Sequence, residues 1–273
     1  MGIKIQKMMM IKILECIDGE VESGQRMDID TLCAYSGYSR RHLQRLFLAE
    51  TGICLGEYIR RRRLSRAALL LRLSLRRITD IAYSVGFDSQ QSFSREFKKN
   101  TGFTPKQYRS HQEWILSPLF GHVHVFFDIS APEVVYLPGG VIVGDEIAFL
   151  GRFDFISKNA SFNEYLDQIF THSGRELWMI AQVCPINHQD FHCQIIGGWG
   201  TPERKEGEKF SYSAGKYLKV TFETNRETHV MRTNFIYMNI LPRNNSAIKS
   251  DAEVLTFKYD GGKVICSLFI PVV

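Results

Sequence analysis

Residues 31–52 read T-L-C-A-Y-S-G-Y-S-R-R-H-L-Q-R-L-F-L-A-E-T-G, and residues 79–102 repeat this pattern as T-D-I-A-Y-S-V-G-F-D-S-Q-Q-S-F-S-R-E-F-K-K-N-T-G. In each copy a short helical pattern runs into a glycine, Gly37 or Gly86, which suits the sharp turn between two crossed helices. A serine follows the glycine and can act as the N-cap of a second helix. The repeat therefore predicts two helix-turn-helix pairs in one chain.

The second helix of each pair is expected to bury one face and expose the other. Leu43, Leu46 and Phe47 match Phe93 and Phe97 at helical spacing, so these side chains should pack inward. The opposite face carries Arg40, Arg41, Gln44 and Arg45 in the first copy and Gln90, Gln91, Ser94 and Arg95 in the second. Arginine and glutamine match the hydrogen-bonding edges of guanine and adenine in the major groove. A single face of this kind is also compatible with an ordinary solvated surface, but its duplication favours DNA recognition.

Good helix formers without internal proline occupy residues 55–73, which predicts a helix of about 19 residues and roughly 28 Å. Such a helix can hold two recognition helices about one DNA turn apart, roughly 34 Å. The same segment carries a run of arginines at Arg60, Arg61, Arg62, Arg63 and Arg66. A charge run is typical of a solvated face, but beside two recognition helices it indicates phosphate contacts, which we assign to Arg60 and Arg61.

The segment from Met8 to about Glu113 resembles the DNA-binding domain of the AraC/XylS transcription factors, in particular the MarA, SoxS and Rob group. The resemblance is carried by G-Y-S-R-R-H-L-Q-R-L-F at 37–47, G-E-Y-I-R-R-R-R-L-S at 56–65, F-D-S-Q-Q-S-F-S-R-E-F-K-K at 87–99 and T-P-K-Q-Y-R at 104–109. It implies a seven-helix domain that binds an asymmetric double-stranded DNA site as a monomer, with two helix-turn-helix units in neighbouring major grooves. RNA polymerase is then an expected partner; activation is the expected direction, with repression left open.

The resemblance also implies which residues read bases. Carried over position by position, they are Arg41, Gln44 and Arg45 in the first unit and Gln90, Gln91, Ser92 and Arg95 in the second. Arg40 joins this candidate DNA-binding set because it lies on the same exposed helix face. The position of Arg41 holds a tryptophan in the MarA, SoxS and Rob group, so the base preferred there is expected to differ.

Length and charge indicate two domains. A chain of 273 residues exceeds the length of about 110 that one such helical module uses. Residues 1–113 hold 20 Lys and Arg against 12 Asp and Glu, a net charge of +8, and residues 114–273 hold 14 against 17, a net charge of −3, which together give the +5 of the chain. The positive half suits phosphate and the other half does not. We therefore expect a DNA-binding domain at 1–113, a linker at 114–120 and a second domain at 121–273.

Six cysteines without a C-x-x-C pair favour a reduced, cytoplasmic protein. No apolar stretch is long enough to span a membrane, so no membrane contact is expected. The arrangement most like a metal site offers two thiols and two imidazoles, from Cys184, His188, His192 and Cys193. Its spacing matches no common zinc pattern, so a polar hairpin tip is favoured over a metal site. No cofactor is expected.

From about residue 120 helical spacing gives way to short β-type runs. They are V-H-V-F-F (123–127), E-V-V-Y-L (133–137), V-I-V-G (141–144), Y-L-K-V-T-F (217–222), F-I-Y-M-N-I-L (235–241) and K-V-I-C-S-L-F-I-P-V (263–272). Amphipathic helical stretches at 160–172 and 227–233 interrupt them. The expected fold is an all-α N-terminal domain with two helix-turn-helix units, followed by an α+β domain.

The second segment is similar to the C-terminal domain of Rob and to gyrase-inhibitor-like effector domains such as that of BmrR. The similarity lies in A-G-K-Y-L-K-V-T-F at 214–222, F-I-Y-M-N-I-L-P at 235–242 and V-I-C-S-L-F-I-P-V at 264–272. It implies a cleft for a small amphipathic molecule, with Tyr217, Tyr237, Thr256 and Ser267 as candidate lining residues. Near Thr256 and at Ser267 this chain has hydroxyls where those domains have an acidic residue. Because a buried carboxylate attracts cations, its loss favours a neutral or anionic effector, or a pocket no longer used.

The sequence holds no Gly-rich phosphate loop, no G-x-S-x-G and no H-E-x-x-H, so we expect no enzyme activity. Two alternatives stay open for the second domain, a protein-binding role and a fused enzyme. An exposed apolar strip without a closed cleft would favour the first. A clustered nucleophile and base would favour the second.

Overall fold

The computed structural model describes residues 2–24, 28–123, 127–152, 160–171, 176–185, 192–201, 204–244 and 247–273, and within them all side chains except those of 2–5, 149–152, 160–162, 185 and 192–193. The chain forms two compact units. The helical unit comprises Met1–Leu71, Arg77–Arg109 and Pro118–Phe126, and the sheet unit comprises Arg72–Arg76, Ser110–Ser117 and Phe127–Val273. The linker expected at 114–120 is therefore divided between the two units.

The described residues of the first 110 positions form seven helices. They are α1 Gly2–Ser23, α2 Ile29–Ser36, α3 Arg40–Thr51, α4 Leu55–Leu73, α5 Ile78–Ser84, α6 Gln90–Thr101 and α7 Pro105–Ser110. As their spacing predicts, Leu43, Phe47, Phe93 and Phe97 are fully buried, whereas Leu46 is half-buried.

Helix α4 contacts both helix pairs. Its Tyr58 ring lies 5.5 Å from the ring of Phe47 in α3, measured between centroids. Its Arg60 Nε lies 3.4 Å from the carboxylate of Glu96 in α6. One helix, with the bounds that its composition predicts, thus packs on the second helix of each pair.

A return segment, residues 118–123, lies against α1 and α4. The N–H of Phe120 donates to Ser65 Oγ at 2.9 Å, and the carbonyl of Phe120 accepts a hydrogen bond from Arg62 at 2.7 Å. Arg62 also donates to Asp18 of α1 at 2.7 Å, and both of these charged side chains are buried. These contacts are the physical reason that residues 118–123 belong to the helical unit.

The described part of the sheet unit contains a two-stranded ladder and an eight-stranded sheet. The strands are β1 Trp114–Ile115, β2 Glu133–Leu137, β3 Gly140–Arg152, β4 Glu176–Pro185, β5 His192–Gly200, β6 Glu208–Tyr212, β7 Gly215–Thr224, β8 Ala247–Ile248, β9 Glu253–Asp260 and β10 Lys263–Pro271. Strand β1 pairs with β8, and the large sheet runs in the order β2-β7-β10-β9-β4-β5-β3-β6. All these pairs are antiparallel.

Helices α8 (Ala160–Thr171) and α9 (His229–Phe235) pack on one face of the large sheet. The ring of Phe257 in β9 lies 5.4 Å from His229 of α9 and 6.3 Å from Phe170 of α8. A helical domain followed by an antiparallel-sheet domain is therefore present, as expected.

Residues 235–241 are helical, so the strand predicted from F-I-Y-M-N-I-L is wrong. Helix α9 continues through a π turn, Ile236–Ile240, into a 3-10 turn, Leu241–Asn244. This continuation buries Ile236 and Leu241 completely. The periodicity of a short apolar run cannot distinguish a strand from a buried helical segment. Of the run expected at 123–127, residues 124–126 lie outside the described chain.

Candidate nucleic-acid interface and effector site

Helices α3 and α6 have the same length and the same end structures. Each has 12 residues. Ser39 and Ser89 each accept a hydrogen bond from the backbone N–H three residues on, at 3.4 and 3.1 Å. Gly52 and Gly102 end the helices at φ 72° and 81°, in the left-handed region that favours glycine. The sequence repeat is therefore a structural repeat.

The exposed faces of α3 and α6 carry side chains that are free to bind a partner. The exposed candidates are Arg41, Gln44, Arg45, Gln91 and Arg95, and Ser92 is half-buried. Among the described residues, Arg41, Gln44, Gln91 and Arg95 make no hydrogen bond or ion pair through their side chains. Free donors and acceptors on an exposed helix face are what base recognition requires.

Arg45 has a neighbour that sequence analysis missed. Its Nη2 lies 3.4 Å from Nδ1 of His42. The His42 ring packs edge-on against Tyr38, with centroids 4.8 Å apart. The available signal was the i, i+3 spacing of His42 and Arg45, which places both on one side of the helix.

Arg40 and Gln90, the first residues of α3 and α6, are bonded within the helical unit. Arg40 Nη2 donates to both carboxylate oxygens of Asp30 in α2, at 2.8 and 2.9 Å. The Thr79 hydroxyl of α5 donates to Gln90 Oε1 at 2.5 Å. The structure thus divides the expected DNA-binding set into free and bonded side chains.

Both arginines assigned to phosphate are exposed, and both have contacts inside the helical unit. Arg60 pairs with Glu57 one turn earlier and with Glu96 of α6. The guanidinium of Arg61 lies 4.0 Å from the centroid of the Phe120 ring. Phosphate contact by these residues stays a prediction.

Three of the four expected effector residues lie on one face of the sheet. Thr256 and Ser267 are cross-strand partners in β9 and β10, and Ser267 Oγ lies 3.0 Å from Thr221 Oγ1 of β7. Tyr217 shares this face by the alternation of β7, is fully buried, and donates through its hydroxyl to a backbone carbonyl at 2.8 Å. We call the row of Thr221, Ser267 and Thr256, with Trp178 beside Thr256 in β4, the hydroxyl face.

Tyr237 lies on the opposite, helix-covered side of the sheet, so the structure does not bring all four residues together. Its hydroxyl donates to Glu253, which is three positions before Thr256 in β9 and therefore faces the other way. Sequence analysis missed Glu253. Glu253 as a whole residue is half-buried, and burial of its carboxyl raises the pKa of that group to about 7 despite the hydrogen bond from Tyr237. The ring of Trp114 stacks on Tyr237, with centroids 6.5 Å apart.

The metal-like stretch falls mostly outside the described side chains: His188, His192 and Cys193 are not among them, and Cys184 is half-buried. Within the described residues, no group of three or more His, Cys, Asp or Glu is placed to hold a metal ion. None of the described helices combines the length and apolar character that crossing a membrane requires.

A helix-turn-helix domain family matches residues 32–111. The chain is 31% identical over 278 residues to the F1 operon positive regulatory protein of Yersinia pestis, an alignment that covers 98% of this chain and 89% of that protein. It is 47% identical over 102 residues to the transcriptional regulator Rob of Salmonella typhimurium, covering 37% of this chain and 35% of Rob. It is also 46% identical over 97 residues to the regulatory protein SoxS of the same organism, covering 36% of this chain and 89% of SoxS.

The helical unit and its exposed helix faces agree with these relationships, and the match to the Yersinia protein extends over nearly the whole chain. The chain belongs to the AraC/XylS family of DNA-binding transcriptional regulators, in the group of MarA, SoxS and Rob.

Proposed function

We propose that the two helix pairs are helix-turn-helix units that read successive major grooves of one asymmetric DNA site, with the chain acting as a monomer. The observation that carries this proposal is the structural repeat of α3 and α6, each with free polar side chains on its exposed face. The 19 residues of α4, about 28 Å of helix, contact both and support a spacing near one DNA turn. Base readout is assigned to Arg41, Gln44, Arg45, Gln91, Ser92 and Arg95.

Replacing Arg45 or Arg95 by alanine is expected to weaken binding to the preferred site by about 1–3 kcal/mol and to relax the preference at one or two base pairs. Each exposed guanidinium can donate two hydrogen bonds to a guanine edge, and alanine donates none. The measurement is binding of the full chain to sites selected from a randomised DNA library.

The matched control is Arg204→Ala, because Arg204 is an arginine of the sheet unit that pairs with Asp145 at 2.7 Å. This variant should keep the wild-type affinity and preference. Unchanged affinity and base preference in both Arg45→Ala and Arg95→Ala would rule out the proposal that α3 and α6 both recognise bases.

Arg60 and Arg61 are proposed to contact phosphates, which would strengthen binding to all sequences alike. The Yersinia relative is named a positive regulatory protein, which supports activation. RNA polymerase is proposed as the protein partner. The described cysteines are free thiols, which supports a cytoplasmic location.

For the sheet unit we propose a binding role and no enzyme activity.

The sheet unit is proposed to be a gyrase-inhibitor-like domain that senses a small amphipathic molecule at the hydroxyl face. Half-buried Thr221, Ser267 and Trp178 supply polar groups beside an apolar cluster centred on Ile180 and Val254. The indole N–H of Trp178 is buried without a hydrogen-bond partner among the described residues. Because the row of hydroxyls contains no carboxylate, a neutral or anionic molecule is favoured over a cation.

Titration of the full chain with anionic and cationic amphiphiles of equal chain length is expected to show tighter binding of the anion. Ser267→Glu should then weaken anion binding by about tenfold, because it places a like charge at the face. Ser211→Glu, on the edge strand β6, is the matched control and should bind as the wild type does. Tighter binding of the cation to the wild type would contradict this effector class. Failure of both to bind would instead favour a pocket no longer used or a protein partner.

A further inference from the structure

We infer that Arg40 and Gln90 are positioning residues, each of which holds the second helix of its pair against the first, and that neither reads a base. This inference rests on the proposed function, since it takes α3 and α6 to be the helices that read DNA. It separates the exposed polar residues of these helices into those that position a helix and those that read a base. The residue types alone do not distinguish these two roles.

The same contact occurs in both copies of the repeat. Arg40 is the first residue of α3 and bonds Asp30, the second residue of α2, at 2.8 and 2.9 Å. Gln90 is the first residue of α6 and bonds Thr79, the second residue of α5, at 2.5 Å. We call these two contacts the clasps. Each joins the first turn of the first helix to the start of the second and so constrains the angle between them.

Arg40 and Gln90 align in sequence, but their partners on the first helix, Asp30 and Thr79, do not. The counterpart of Thr79 in the first copy is Thr31, which bonds Asp28 instead. The turn of the second copy, Y-S-V-G-F-D-S, is two residues longer than Y-S-G-Y-S. A neighbouring residue therefore makes the equivalent contact, an ion pair in one copy and a hydrogen bond in the other. The contact between the two helices of a pair therefore recurs in the structure, although different residue types form it in the two copies.

The clasps engage atoms that base recognition would use. Arginine reads guanine through two donors, and Arg40 Nη2 is already shared between the two Asp30 oxygens. Glutamine reads adenine by accepting and donating at once, and Gln90 Oε1 already accepts from Thr79. The next residue of each helix, Arg41 or Gln91, is exposed and has no such bond. The first residue of each helix thus forms the clasp, and the second residue is free to bind a base.

The test is binding and site selection with the full chain, using variants that separate a clasp from a base contact. Arg40→Ala is expected to bind every sequence no more than about fivefold more weakly, since an exposed ion pair contributes little, and to keep the wild-type preference at every base pair. The double variant Asp30→Arg with Arg40→Asp re-forms the ion pair in reverse and keeps the net charge. It should bind within about twofold of the wild type.

The second copy supplies an independent pair of variants. Thr79→Val removes the hydroxyl at nearly constant volume and should weaken binding as Gln90→Ala does, without a change of base preference. Thr79→Ser keeps the hydroxyl and should bind as the wild type does. Thermal melting of each variant verifies that it is folded.

Two results would overturn the positioning role. One is a change of preference at a particular base pair in Arg40→Ala or Gln90→Ala. The other is a charge-reversed variant that binds as weakly as Arg40→Asp alone, which would mean that the guanidinium itself touches DNA. Arg45→Ala and Arg95→Ala in the same selection test the proposed function separately, because unchanged affinity and preference in both of these variants would remove the base-reading assignment whatever the clasp variants do.

Discussion

Replacing Asp18 by alanine is expected to lower the free energy of unfolding of the helical unit by about 3–5 kcal/mol, because it removes the buried counter-ion of a buried arginine. The carboxylate that remains near Arg62 is that of half-exposed Glu22, at 3.6 Å. Arg62 is 4% exposed, and its Nε lies 2.7 Å from Asp18 Oδ1. The hydroxyl of Tyr58 lies 3.0 Å from both oxygens of the same carboxylate, and His122 Nδ1 also contacts it. One small substitution therefore disrupts several buried polar contacts at once.

The same carboxylate predicts a loss of stability in acid. Burial alone raises the pKa of Asp18, but the hydrogen bond from His122 and the charge of Arg62 together outweigh burial and hold it below 3.8. A lowered pKa in the folded state means that Asp18 stabilises the fold above pH 3.8 and that this contribution is lost as the pH falls through the folded pKa.

Urea unfolding of the full chain at pH 7, followed by the far-ultraviolet circular dichroism of the helices, measures the effect. The matched control is Asp30→Ala, which removes an exposed carboxylate paired with Arg40 and should leave stability almost unchanged. A loss of less than about 1 kcal/mol in Asp18→Ala would contradict the role assigned to the buried pair.

His229 is expected to make the sheet unit sensitive to acid at a milder pH. Its ring is 5% exposed and lies among Phe170, Phe222 and Phe257. Burial lowers its pKa from 6.5 to about 4. In the unfolded chain His229 thus binds a proton below pH 6.5, whereas in the folded chain it stays neutral until the pH nears 4. The contribution of neutral His229 to stability is therefore full above pH 6.5 and is lost as the pH falls towards 4. The loss across this window is about 3 kcal/mol.

His229→Leu removes the titrating group while keeping an apolar side chain in the cluster, so its unfolding free energy should vary less between pH 7 and pH 4.5 than that of the wild type. Phe170→Leu is the matched control, because it weakens the same cluster and retains the histidine. This control should be less stable at every pH but keep the wild-type pH dependence. An equal pH dependence in His229→Leu and the wild type would show that the buried imidazole is not its source.

Local chemistry was sufficient for much of the helical unit. The N-cap serines, the terminal glycines and the spacing of Leu43, Phe47, Phe93 and Phe97 lie within one or two turns of the helix that they specify. The sequence therefore predicted both helix pairs, the bounds of α4 and the exposed faces of α3 and α6. Periodicity and capping act over a few residues, and a single sequence displays them directly.

Contacts between distant residues were decided only by the tertiary structure. Asp18 meets Arg62 across 44 residues and His122 across 104, and no local pattern links them. Tyr237 lies in a helical segment that resembles a strand in sequence, and this segment covers the face of the sheet opposite to Ser267. By itself the sequence determined the repeated module, its exposed polar residues and the change to strands near residue 120. The fold alone decided which of those residues are already bonded, because pairing depends on distances that chain order does not contain.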